Sequence, residues 1–222
     1  MQNECKQITL RTMNNIFLLL AFLFMSAQTN VFAQNILSKG QFNYLVREEK
    51  GDLNRDGKMD RITVHMDTID NTYPLRLQIF LSQPNGKWAL AVSSTQIIEP
   101  QYPTDKHGEY NGYQIPDFRI ENGSLLMWSE IKGGNITYEF KYEKGNFELI
   151  NIEKLTNNAT KGYIDENTVF TETKFNLITG VRIETDSTNS EKTLRNDKRI
   201  KAVLIRPLPK IQEFKFSDKD RY

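Results

Sequence analysis

The residues with the clearest chemical potential lie in one acidic segment, residues 51–60, with the sequence GDLNRDGKMD. Ca²⁺ takes six to eight oxygen ligands at about 2.3–2.6 Å, and short acidic or amide side chains that alternate around a sharp turn direct oxygens to one point. We therefore predict a structural Ca²⁺ site. Its ligands are the backbone carbonyl of Lys58 and four side chains, those of Asp52, Asn54, Asp56 and Asp60, the last directly or through water.

The same residue types also form plain polar turns, because Asp and Asn side chains bond to the backbone nearby. We favour a metal site because five positions match the spacing of ligands in a calcium loop. In addition, Gly57 permits the sharp turn that this spacing requires. Extracellular sites of this class have dissociation constants on the order of 10⁻⁴ to 10⁻³ M. Such weak sites are occupied at extracellular calcium concentrations, and we predict that the ion has a structural role, holding a loop between two strands.

This segment resembles the calcium loops of EF-hand and dockerin modules, and more closely those of FG-GAP and VCBS-type β-repeats. In the β-repeats a strand follows the loop, and here residues 61–66 (RITVHM) continue with strand periodicity. Thr63 stands where an EF-hand has its bidentate Glu. The resemblance thus implies a calcium loop in a β-domain rather than a helix-opening sensor.

A second candidate site is the loop of residues 99–114, which carries Tyr102, Tyr110 and Tyr113. Tyrosine rings on an exposed loop stack on sugars or contact proteins, so we predict that these three residues bind a protein or a glycan. The alternative is that the loop covers the edge of a sheet.

Sequence motifs for catalysis are missing. There is no nucleophile elbow or phosphate-binding glycine loop, and His65 and His107 are too far apart in sequence to suggest a zinc site. We favour a module that is not an enzyme. The alternative is a carboxylate-dependent, glycan-active hydrolase that uses Asp117 and Glu130, since abundant acidic residues leave that chemistry open.

The first 33 residues are typical of an export signal. Lys6 and Arg11 supply the positive start, residues 16–25 form a short apolar run, and residues 31–33 (VFA) provide a cleavage site. The run is short for a membrane anchor, which is the alternative. We predict removal of residues 1–33, leaving residues 34–222 as a single periplasmic or secreted domain without a transmembrane span.

The composition excludes other classes of partner and chemistry. The chain has 29 Lys and Arg against 28 Asp and Glu, so it lacks the basic excess that nucleic-acid binding requires. The single cysteine, Cys5, lies in the predicted signal, which excludes thiol catalysis in the mature domain. The mature domain is long enough to bury a core without disulfides.

The elements that position the candidate sites are short strands. Apolar residues recur with period two, and turns such as those at Asn85-Gly86, Asn122-Gly123 and Lys144-Gly145 interrupt them. Sequential strands usually pair, so we predict an all-β domain, an antiparallel meander that forms a β-sandwich or a strongly curved sheet. His65 is expected on the solvent-facing side of its strand.

The C-terminal part is predicted to contain three further strands, Tyr163–Thr173, Phe175–Arg182 and Ile200–Arg206. The polar stretch Thr185–Asn196 is predicted to be an exposed loop.

The order of these features resembles a group of uncharacterised exported proteins of Gram-negative bacteria, especially Bacteroidota. The matching segments are Gly51–Asp60, Glu121–Leu125, Lys132–Gly134 followed by Tyr138–Tyr142, and Phe175–Gly180. The resemblance implies the fold and the compartment, and it implies no particular activity.

Overall fold

The computed structural model describes residues 38–159, 163–188 and 197–220, which belong to one compact unit. The predicted export signal, residues 1–33, lies outside the described residues. Within those ranges the chain forms eleven strands and three short 3₁₀ segments, Thr104–Lys106, Ile211–Glu213 and Phe216–Asp220. No helix in the described part of the chain is long and apolar enough to cross a membrane.

Two antiparallel sheets account for all eleven strands, and in each sheet the strands pair in chain order. The four-stranded sheet contains β1 (Tyr44–Gly51), β2 (Asp60–Met66), β3 (Leu75–Ser82) and β4 (Trp88–Ser94). The seven-stranded sheet contains β5 (Asp117–Glu121), β6 (Ser124–Ile131), β7 (Gly134–Glu143), β8 (Asn146–Asn157), β9 (Val169–Asn176), β10 (Val181–Thr188) and β11 (Asp197–Ala202). The predicted all-β antiparallel meander is confirmed.

The two sheets share one hydrophobic core. Strand β3 shows the period-two pattern most clearly, because Leu75, Leu77, Ile79 and Leu81 are buried while the residues between them are partly exposed. Side chains from the inner faces of β5–β9 join the same cluster, as do Ile211 and Phe214 near the C-terminus. The opposite faces of both sheets are therefore available to carry polar side chains.

The strand boundaries in the C-terminal part differ from the prediction. The expected strands at 163–173 and 175–182 are β9 and β10, which a turn at residues 177–180 separates. Leu177 in that turn is fully buried, so an apolar residue that reads as part of a strand is a core contact of the turn. The strand predicted at Ile200–Arg206 is β11, which starts and ends earlier.

The loop predicted at Thr185–Asn196 is wrong for residues 185–188, because β10 continues through them and pairs with β9. Residues 189–196 lie outside the described residues. Polar Thr and Asp residues continue the strand here because pairing with β9 stabilises it, and burial of their side chains is not needed.

Candidate functional site

The acidic loop joins β1 to β2 and lies against the hairpin between β5 and β6. At its start Gly51 packs so closely on Ile120 that a Cβ atom would lie 2.7 Å from the Ile120 Cγ2 atom. Further along, the Arg55 guanidinium donates a hydrogen bond of 2.8 Å to the carbonyl of Asn122. The Arg55 side chain passes over Gly123, where a Cβ atom would meet it at 2.5 Å. Two contacts thus attach the loop to the hairpin.

Backbone amides inside the loop bond to its polar side chains. The Asp52 carboxylate accepts from the amides of Asp56 (3.1 Å) and Gly57 (2.8 Å). The Asn54 Oδ1 atom also accepts from Asp56 (3.1 Å), and the Asp56 carboxylate accepts from Lys58 (2.9 Å). Each carboxylate oxygen can accept a second bond, so acceptor capacity remains for a cation. The Lys58 ammonium lies 3.7 Å from the Asp56 Oδ2 atom.

Asp60 differs from the other acidic residues because it is fully buried. Its Oδ2 atom accepts from the Leu53 amide and its Oδ1 atom from the Ser82 amide, both at 2.8 Å. The carboxylate therefore ties the loop to the end of β3. In the described part of the chain, no group of three or more His, Cys, Asp or Glu is arranged to hold a metal ion.

Two of the three predicted tyrosines lie side by side. The ring centroids of Tyr102 and Tyr110 are 5.9 Å apart with their planes tilted by 56°, and the two residues are 37% and 50% exposed. A third ring, that of Tyr73, lies 5.5 Å from Tyr102. We call Tyr73, Tyr102 and Tyr110 the tyrosine row. Sequence reasoning missed Tyr73 because it belongs to the separate loop between β2 and β3.

Backbone hydrogen bonds hold the tyrosine row in place. The Tyr102 amide donates to the carbonyl of Thr72 (3.1 Å), and the Gln101 amide donates to the carbonyl of Tyr73 (3.3 Å). The amide of Asn111, a residue that is only 7% exposed, donates to the Gln101 carbonyl at 2.9 Å. These hydrogen bonds between the two loops therefore fix the positions of the three rings.

Tyr113 lies outside the tyrosine row. Its ring centroid is 6.4 Å from that of Phe216, and the Lys106 ammonium lies 5.5 Å from the ring centroid. Its backbone carbonyl accepts a hydrogen bond of 2.5 Å from the Tyr110 hydroxyl. Tyr113 therefore packs on the protein and supports Tyr110.

The two carboxylates of the hydrolase hypothesis have different surroundings. Asp117 forms an ion pair of 3.0 Å with Arg47, whereas Glu130 accepts a hydrogen bond of 3.1 Å from the Gln114 amide. Glu130 also lines a small cavity together with Tyr113.

Two other glutamates line a cleft on the outer face of the seven-stranded sheet. The cleft has a volume of about 390 Å³, and Glu139, Asn151, Glu153 and Lys174 supply much of its polar lining. The side-chain amide of Asn151 donates a hydrogen bond of 2.7 Å to the Glu139 carboxylate. Sequence reasoning missed this cleft because alternating polar residues in a strand look like an ordinary solvent-facing surface.

Comparisons of the chain with protein-family models, with curated proteins and with solved structures found no match. The resemblance to exported Bacteroidota proteins therefore stays a prediction.

Proposed function

We propose that this protein is an exported, non-catalytic glycan-binding domain that binds its ligand on the tyrosine row. The observation that carries the proposal is the row itself, three neighbouring rings of which two, Tyr102 and Tyr110, are partly exposed to solvent. Aromatic rings stack on the apolar faces of sugars, and tyrosine adds a hydroxyl for hydrogen bonding.

The fixed frame of the row favours binding. Ordering a loop at an interface costs free energy, so a surface that is ordered beforehand loses less on association. Here the hydrogen bonds from Gln101 and Tyr102 to the neighbouring loop, and the bond from Tyr110 to Tyr113, supply that order.

Binding to a glycan panel tests this function. We expect the wild-type domain to bind at least one neutral oligosaccharide, and we expect the double variant Tyr102→Ala/Tyr110→Ala to bind at least about tenfold more weakly. Tyr44→Ala is the matched control, because Tyr44 is 59% exposed on β1 and is not part of the row. Equal losses in both variants, or binding only to proteins, would contradict a glycan site on the row.

We also propose that the acidic loop binds Ca²⁺ in a structural role. The side chains of Asp52, Asn54 and Asp56 and the carbonyl of Lys58 would hold the ion. Asp60, which the sequence predicts as a further ligand, is buried with both oxygens hydrogen-bonded to backbone amides, so we assign it to tying the loop to β3. Bound Ca²⁺ would neutralise the carboxylates of Asp52 and Asp56. It would also restrain the loop that joins β1 to β2. The free acceptor capacity of the loop side chains supports this proposal.

Thermal unfolding tests the calcium proposal. A ligand that binds only the folded state raises stability by about 1.4 kcal/mol when its free concentration is ten times the dissociation constant. We expect the wild-type domain to melt higher in millimolar Ca²⁺ than in chelator, and we expect Asp52→Asn/Asp56→Asn to lose that difference. No calcium effect, or an equal effect in the variant, would refute the site.

The export of the domain has its own test. Mass spectrometry of the protein from a periplasmic or secreted fraction should find Gln34 as the first residue. A full-length chain in the cytoplasmic fraction would contradict this part of the proposal.

A second candidate function, a glycan-active hydrolase, is favoured by the two carboxylates in the cleft. Glu139 faces Asn151 across β7 and β8, so Glu139 and Glu153 are diagonal neighbours, about 7–8 Å apart at their Cα atoms. Glycoside hydrolases place their two carboxyl groups about 5–10 Å apart, a separation that glutamate side chains on diagonal positions can reach. Turnover that Glu139→Gln and Glu153→Gln abolish, and that Glu143→Gln at the end of β7 retains, would establish it.

A further inference from the structure

The outer face of the four-stranded sheet carries cations on adjacent strands. His65 on β2 faces Arg76 on β3, and on the same strand pair Arg61 faces Phe80. We call this surface, with Arg61, His65 and Arg76 at its centre, the basic face. His65 lies on this outer face, as predicted, and its neighbours leave it half-buried.

Aromatic rings hold both arginines in place. The Arg61 guanidinium carbon lies 4.1 Å from the centroid of the Trp88 ring and 4.9 Å from that of Phe80. The Arg76 guanidinium carbon lies 4.6 Å from the centroid of Phe42. Stacking of this kind restrains the guanidinium without neutralising its charge, so the hydrogen-bonding edge stays usable for an anion.

The positive charge of this face is poorly balanced. Glu48 lies 3.1 Å from the Lys50 ammonium and 3.9 Å from the Arg61 guanidinium, so one carboxylate serves two cations. Within the described residues, neither Arg76 nor His65 forms an ion pair with a carboxylate. An anionic ligand would therefore balance the remaining positive charge of this face.

Several polar atoms on the face have unused hydrogen-bonding capacity. The Nε atoms of Arg61 and Arg76, the Nδ1 atom of His65 and the Oγ1 atom of Thr63 are buried and, among the described residues, have no hydrogen-bond partner. On β2, Thr63 lies between Arg61 and His65. Native structures contain few such atoms, and each calls for a partner such as a water or a bound group.

We propose that the basic face binds an acidic polysaccharide, whose anionic groups pair with Arg61 and Arg76 while its sugar rings contact Trp88. Trp88 is 44% exposed and the neighbouring Leu90 is 53% exposed, so apolar surface for a sugar ring borders the cations. With 29 Lys and Arg against 28 Asp and Glu, the chain lacks the basic excess of a protein that neutralises many phosphates, so we expect a ligand that engages only the few cations of this face. This site shares no residue with the tyrosine row and does not depend on the function proposed there.

The test measures binding of the full chain to polygalacturonate at low salt, with uncharged dextran as the reference. We expect binding to polygalacturonate only, and we expect Arg61→Gln/Arg76→Gln to weaken it by at least about tenfold. Arg119→Gln is the matched control, since Arg119 is an exposed arginine of β5 that pairs with Glu121. If the double variant does not fold, as circular dichroism would show, the single variant Arg76→Gln replaces it with an expected loss of about threefold.

Three results would overturn the proposal. The first is no binding to polygalacturonate at low salt, and the second is an equal loss of binding in Arg119→Gln. The third is equally strong binding of polyglutamate or of an oligodeoxynucleotide, which would show that charge alone is read and that the ligand class is wrong.

The pH dependence provides an independent readout. Burial, followed by the charges of Arg76 and Arg61, lowers the pKa of His65, and Glu48 on β1 opposes this shift. A bound polyanion favours the protonated imidazole, so binding should tighten between pH 7.5 and pH 5.5, where polygalacturonate remains ionised. The His65→Gln variant should lose that dependence. Unchanged pH dependence in the variant would show that His65 does not contribute to binding.

Discussion

The buried carboxylate of Asp60 should contribute more to stability than any other acidic side chain of the loop. Replacing Asp60 with Ala removes two hydrogen bonds to a charged group and leaves the buried Leu53 amide and the half-buried Ser82 amide without their acceptor. An unsatisfied buried donor costs about 1–3 kcal/mol, and less where water reaches it. We expect Asp60→Ala to lower the free energy of unfolding by about 3 kcal/mol. Asp60→Asn, which keeps one acceptor oxygen, should lose about half of that.

Urea unfolding in the presence of chelator measures this loss without any contribution from bound metal. With a slope of about 2 kcal/mol per molar urea, a loss of 3 kcal/mol lowers the midpoint by about 1.5 M. Asp105→Ala is the control, because Asp105 is exposed in a 3₁₀ segment and should change the midpoint little. A loss below about 1 kcal/mol for Asp60→Ala would refute the structural role assigned to this carboxylate.

Two further perturbations test the packing and the electrostatics of the sheets. Gly134→Ala should destabilise the domain by more than about 2 kcal/mol in urea unfolding, because its Cβ would lie 1.8 Å from the Leu155 carbonyl oxygen. Gly145→Ala, which adds backbone strain in open space, should cost only about 1 kcal/mol. Burial and two neighbouring arginines hold the pKa of His65 below its usual 6.5, so the unfolded chain binds this proton more readily. Stability should therefore fall as the pH drops below about 6.5, and His65→Gln should reduce that fall; an unchanged fall would refute it.

The sequence was sufficient to predict the fold class because the core strands alternate cleanly and their turns are marked by Asn-Gly or Lys-Gly pairs. It did not predict β1, in which the charged run Arg47–Lys50 hides the alternation. β1 is an edge strand whose residues are mostly exposed, so burial imposes no period on its sequence. Leu177 shows the reverse case, since its burial in a turn imitates a strand.

The candidate sites were predictable only where their residues are close in the chain. The acidic loop is local: Asp52, Asn54 and Asp56 lie between β1 and β2, and Asp60 is the first residue of β2. The hydrogen bond from the Ser82 amide to Asp60 was not predictable, because the two residues are far apart in the sequence and the bond joins the loop to β3. The tyrosine row, the cleft and the basic face each combine residues from separate loops or strands, and a single sequence does not show which of those meet.

Chemical-shift mapping tests the central claim, glycan binding on the tyrosine row, most directly. A neutral oligosaccharide that the panel identifies would be titrated into isotope-labelled domain, and the backbone amide shifts would be followed. We expect the largest changes at Thr72, Tyr73, Gln101, Tyr102 and Tyr110. Changes centred instead on Glu139 and Glu153 in the cleft, or spread over the core without saturation, would contradict the assignment of the binding site.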